Sequence, residues 1–313
     1  MVMRPSGIPV ELARDTHPDS AEWRADAMAA SRHSRLLDEL RLPLAEQDPE
    51  EAARLAGEVC RNALRDLSPA LILLPASERR RAQALAAYAL VLFDFARQSG
   101  LEGDRLSQIN RWQFHLEEAL AGEPAGQPIF LCLQLEERRR PWDHEALDAL
   151  ADAARHRVAT RRPATAEARK AELERLASAL SRALLGIDHA AATDLAAGLL
   201  RLFSLLDLGE GIRRHDARVP RSELPDDWQA TAAADRRALE AAVRQECALA
   251  SLQLETARFP ELPRAWRRPA RFLALAGRAL LRGVEQAGPS VVAQPPQLGV
   301  GARLGLLLRA RWP

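Results

Sequence analysis

Leu73 to Gln98 reads LLPASERRRAQALAAYALVLFDFARQ. Inside it, Ala84 to Phe93 (ALAAYALVLF) is a run of ten apolar residues. Pro75 precedes the run, Ser77 is placed to cap a helix, and Glu78 falls in the first turn, where a carboxylate suits the helix dipole. A helix that is apolar on every side must be enclosed by protein. This segment is therefore expected at the centre of a helical bundle. The polar residues that interrupt it, Asp94 and Arg97, carry the information, because burying either without a partner costs several kcal/mol.

A second helix of the same kind follows at Leu195 to Leu206, with Leu202, Phe203, Leu205 and Leu206 extending the apolar run past Arg201. Arg201, Ser204, Asp207 and Glu210 interrupt it at every third residue. That spacing drifts by about 60° per step, so the four form one slanting stripe.

Working outward, the rest of the chain reads as helix after helix. Pro49 opens EEAARLAGEVCRNALRDL, with acids at its start. Further helices are expected at 104–121, 143–160, 165–186, 189–213, 230–257, 265–287 and 298–310. Leu173, Leu176, Leu180 and Leu184 show the three–four spacing. Pro and Gly clusters at 122–128, 162–163, 220–225, 260–263 and 288–296 mark the breaks. No segment alternates as a strand would. The class is all-α, a single-domain bundle over 49–313 with central buried helices, preceded by a polar, proline-bearing arm over 1–48.

The chain has 313 residues, of which 47% are hydrophobic and 28% charged, so it can bury a core and is not disordered as a whole. Basic and acidic residues number 44 and 43. That balance argues against a nucleic-acid partner, which selects a basic excess. Cys60, Cys132 and Cys247 are scattered, giving neither a metal spacing nor a disulfide framework. Reduced cysteines and the lack of a signal-like or spanning segment point to the cytoplasm.

Several motifs in these helices resemble the squalene/phytoene synthase family. Leu73–Gln98 resembles its first signature, a Leu-Pro and basic turn leading into A-L-Y-A-F-C-R-x-x-D-D-x-x-D. Trp112, Leu116, Gly122 and Pro128 carry its W…L…G…P rhythm, and Leu176–Gly186 resembles the helix before the second signature. Leu195–Pro225 is similar to L-G-x-A-L-Q-L-T-N-I-L-R-D-V-x-E-D…G-R-x-Y-L-P, and 261–288 to the last helices. The resemblance covers most of 55–310 and implies an isoprenoid synthase-like fold. It also implies two Asp-rich motifs on facing helices, holding Mg²⁺ ions that grip a substrate diphosphate.

This sequence departs from the family at those motifs. The D-D-x-x-D stretch is Phe93-Asp94-Phe95-Ala96-Arg97, with one aspartate left and an arginine in the last place. The family's tyrosine and arginine before it are Ala86 and Leu90. In the second motif the two metal-binding aspartates fall on Leu208 and Ile212, with Asp207 and Glu210 nearby, and the cavity-wall glutamine and asparagine become Arg201 and Ser204. A Mg²⁺ cluster needs several hard oxygen ligands on one face. No metal site and no cofactor are therefore expected. Asp94, Asp207 and Glu210 are remnants at most, and Tyr88, Asp94, Arg97, Arg201, Ser204 and Asp207 are the expected cavity lining. An Asp94–Arg201 salt bridge is expected across the former cavity.

The favoured reading is a catalytically degenerate binding or assembly module with a protein partner. One alternative is an active Mg²⁺-dependent prenyltransferase condensing isoprenyl diphosphates, with displaced ligands. Another is a non-catalytic carrier of isoprenoid diphosphate or other lipid. Plainer readings put Asp94 in solvent with Arg97, let Arg201 snorkel, make Tyr88 a core residue with a bonded hydroxyl, and make Glu136–Arg140 a solvated helix end. Arg264, Arg267, Arg268 and Arg271 with Trp266 and Phe272 form the candidate face for peripheral contact with the inner side of a membrane.

Overall fold

The computed structural model describes residues 48–97, 102–123, 127–224 and 233–311. The expected arm, 1–48, lies outside them except for its last residue. Everything below concerns the unit spanning 44–313. Its eleven described α-helices are α1 (Pro49–Leu64), α2 (Ala76–Arg97), α3 (Glu102–Leu120), α4 (Pro128–Arg139), α5 (His144–Ala159), α6 (Ala166–Leu185), α7 (Ala190–Leu206), α8 (Leu208–Arg213), α9 (Ala233–Thr256), α10 (Arg264–Ala287) and α11 (Val300–Arg311). There is no strand among the described residues.

Local chemistry sets many of the ends. Asp48 accepts the Glu50 N–H at 3.0 Å and Pro49 takes the first position of α1. Asp143 and Thr165 cap α5 and α6 in the same way, at 3.0 and 3.3 Å. Gly186 closes α6 with φ 78°, a left-handed conformation that glycine adopts without a Cβ penalty. α2 starts at Ala76, so Ser77 lies inside its first turn and not at the cap. The expected 189–213 helix is two helices, broken at Asp207 (φ −92°, ψ 5°).

The two apolar helices are enclosed as expected. α2 is covered by α1, α3, α4 and α5, and from Arg81 onward none of its residues is exposed. α7 is covered by α6, α9 and α10. α6 packs on both central helices and so joins the two halves. Tyr88, Phe130 and Phe272 are among the largest fully buried side chains, each worth about 1.5–3 kcal/mol of transfer energy. Arg138, Arg139 and Arg140 are exposed, as the solvated-end reading had it, but Glu136 departs from it. It is buried on α4 against Arg139, with Arg80 at 3.6 Å, because α4 lies between α1 and α2.

Candidate functional site

The last turns of α2, α5 and α7 and the first turn of α6 meet at one end of the bundle, joined by α8 and the loop after it. These elements bring Asp94, Arg97, Arg157, Arg169, Glu172, Ser204, Asp207, Asp216 and Arg218 into one electrostatic cluster.

At its centre Arg97 Nη1 donates to Asp207 Oδ2 at 2.7 Å. This bond ties the end of α2 to the break between α7 and α8. Burial pulls the Arg97 guanidinium down, but Asp207, Asp216 and Asp94 more than offset it and hold its pKa above the ordinary arginine value. Arg214 closes the corner by donating to the Arg97 carbonyl at 3.2 Å.

The neighbouring carboxylates are held in the same way. Asp216 accepts from Arg157 at 3.1 Å. Glu172 accepts from Arg218 and lies 3.5 Å from Arg169. Burial pushes the Glu172 carboxyl up, yet Arg218, Arg169 and Arg157 outweigh it and keep its pKa below the usual carboxylate value. Burial and the neighbouring Arg218 and Arg157 pull Arg169 down to about 10, against the pull of Glu172. Arg169 also donates to the Ser204 hydroxyl at 2.6 Å, and that hydroxyl donates to the Leu200 carbonyl at 2.8 Å. The Nε–H groups of Arg157, Arg169 and Arg218 are buried without a partner among the described residues.

Arg201 corrects the expected Asp94–Arg201 bridge. Its guanidinium reaches Glu246 on α9 at 2.8 and 2.7 Å and Gln253 at 3.1 Å. Both side chains of the pair are only 5% exposed. Nor does Arg201 snorkel. Glu210 is bound by Arg213 and Arg214 on its own helix and the turn after it. Tyr88 is a core residue, as the plainer reading had it, but it faces α3, its ring 6.3 Å from Trp112, and its hydroxyl has no partner among the described residues. Asp94 is half-buried and acts electrostatically on Arg97.

The glycines of the second motif region pull the backbone in. A Cβ on Gly209 would stand 1.9 Å from the Val292 carbonyl oxygen, and one on Gly211 would stand 2.9 Å from Ala217 Cα. α8 therefore lies hard against the 3-10 segment Gly288–Val292.

No known family profile and no curated protein matches the sequence. Solved structures do match. A dehydrosqualene synthase crystallised with a ligand superposes with TM-score 0.68 at 14% identity, over 84% of this chain and 98% of that one. This chain has the squalene/phytoene synthase-like fold. Squalene synthase HpnC from Alicyclobacillus acidocaldarius gives TM-score 0.63 at 19% identity, covering 77% of this chain and 95% of that one. YisP from Bacillus subtilis gives 0.61 at 16%, covering 83% and 96%.

The residues at the motif positions do not fit a Mg²⁺ cluster. Asp207 and Glu210 are each bonded to arginine, and Arg97 sets a cation against Asp207 where the resemblance to the family leads one to expect an acid. No group of three or more His, Cys, Asp or Glu among the described residues could hold a metal ion. Sequence reasoning missed Arg157, Arg169, Glu172, Asp216, Arg218 and Glu246. The Arg169–Glu172 spacing was the one local signal available, since i,i+3 residues share a helix face. The other pairs join residues 45 or more positions apart.

Proposed function

We propose that this protein is a catalytically degenerate relative of the squalene/phytoene synthases that acts as a non-catalytic binding or assembly module. The Arg97–Asp207 bond carries the reading. In the synthases that this fold resembles, metal ions between two acidic helices supply the charge stabilisation for ionising a diphosphate. Here Arg97 ties α2 directly to Asp207 at the break between α7 and α8. A fixed guanidinium at that point repels a divalent cation. At about 4 Å, two like charges near a protein surface cost several kcal/mol per unit charge.

The arginine-rich end of the bundle can still receive an anionic group without a metal. Guanidinium groups bind phosphate oxygens by charge-assisted hydrogen bonds. An isoprenoid diphosphate or another anionic lipid is the ligand class that fits both this end and the fold.

Calorimetric titration of the full chain with farnesyl diphosphate, with and without Mg²⁺, tests the reading. Binding that is unchanged by Mg²⁺ supports metal-free recognition. Complete absence of binding supports an assembly role and moves the search to protein partners. Binding that requires Mg²⁺ overturns the reading.

A further inference from the structure

The basic face expected on α10 is only half of a surface. Arg264, Arg267 and Arg268 are exposed, but Phe272 is fully buried and Trp266 donates its indole N–H to Glu78 at 3.2 Å. The aromatic side chains expected on that face are thus engaged inward. The exposed apolar component lies on α11. Val300, Leu304 and Leu308 are 73%, 58% and 51% exposed and repeat every four residues, so they share one face. Gly301 and Gly305 lie beside them and are also exposed. The opposite side of α11, with Leu306, Leu307 and Ala310, packs on the core.

This outer face carries positive charge and no negative charge. Val300–Arg311 contains Arg303, Arg309 and Arg311 and no carboxylate. Arg309 and Arg311 make no ion pair among the described residues, whereas Arg303 is drawn towards Asp66 at 3.7 Å. Leu308 and Arg309 also line a groove of about 820 Å³ with Leu254, Phe259, Arg271 and Arg278. Arg278 is held there by Glu255 at 3.0 Å. α10 itself has six arginines and a single acid, Glu285.

We propose that the outer face of α11, with the arginines around its groove, docks the protein on the surface of an anionic phospholipid bilayer. Aliphatic side chains at four-residue spacing enter the acyl boundary, and flanking arginines meet the headgroup phosphates. A second copy of the chain fits this face poorly. A two-fold contact sets a patch against itself, and this patch carries arginines and no carboxylate to pair with them. The inference is independent of whether the α2–α7 centre turns over.

Sedimentation of the full chain with phosphatidylcholine vesicles, with and without phosphatidylglycerol, tests it. The protein should sediment with the anionic vesicles and remain in solution with neutral ones, and added salt should release it. Leu304→Asp with Leu308→Asp, and separately Arg309→Glu with Arg311→Glu, should each lower the bound fraction by about tenfold or more. Unchanged thermal midpoints would show that both variants fold. Three results would overturn the proposal: no sedimentation with either vesicle, equal sedimentation with both, or variants that bind like the parent. A dimer that the leucine variants dissociate, without vesicle binding by the parent, would assign the face to a second copy instead.

Discussion

Arg201 and Glu246 bury two opposite charges in the interface between α7 and α9, where Arg201 also bonds Gln253. Removing one partner strands the other in low dielectric, whereas removing both leaves no buried charge there, only the neutral Gln253 amide. Arg201→Met should therefore destabilise the fold by about 3–5 kcal/mol, and adding Glu246→Leu should recover most of that loss. Urea unfolding of the two variants and the parent measures this. A double variant as unstable as the single would contradict the pairing. Glu172 gives a pH signature. Its folded pKa is depressed, so its contribution is present above the unfolded value near 4.5 and lost as pH falls through the folded one. The urea midpoint should drop as the pH is lowered below about 4.5, and Glu172→Gln should flatten that drop. An equal slope in both proteins would rule out the Arg218–Glu172 contact as its source.

The helix boundaries show which parts of the architecture were legible in the sequence and which were not. Apolar runs and proline clusters marked α2, α5, α6 and α10 to within a few residues, because burial and backbone restriction act locally. The break at Asp207 was not legible. It depends on the backbone of Val292, more than eighty residues later, closing on Gly209. Gly209→Ala should accordingly force a backbone shift and cost about 1–3 kcal/mol or more. Gly198→Ala should be milder, since its Cβ would meet the Leu254 side chain at 2.9 Å and the Ala250 carbonyl oxygen at 3.2 Å, against backbone at 1.9 Å for Gly209. Thermal unfolding of the two variants compares them, and a costlier Gly198→Ala would contradict the account of the α8 corner. The same limit explains the Asp94–Arg201 error. Periodicity placed Arg201 correctly on a buried face but could not say that α9 supplies its carboxylate.

Across the whole molecule, a synthase-like fold carries a cluster of arginine–carboxylate pairs at one end, where Arg97 meets Asp207 and Arg157 and Arg218 meet Asp216 and Glu172. The fold was legible because two all-apolar helices and their shell require a layered bundle. The cluster was legible in part, through Arg97 and Asp207, but its electrostatic outcome needed the tertiary contacts of Arg157, Arg169 and Arg218. Diphosphate release from farnesyl diphosphate or geranylgeranyl diphosphate, assayed on the full chain with Mg²⁺, tests the central claim most directly. The Arg97–Asp207 bridge predicts no release above a protein-free control. Mg²⁺-dependent turnover would contradict it and require a carboxylate set elsewhere in the chain.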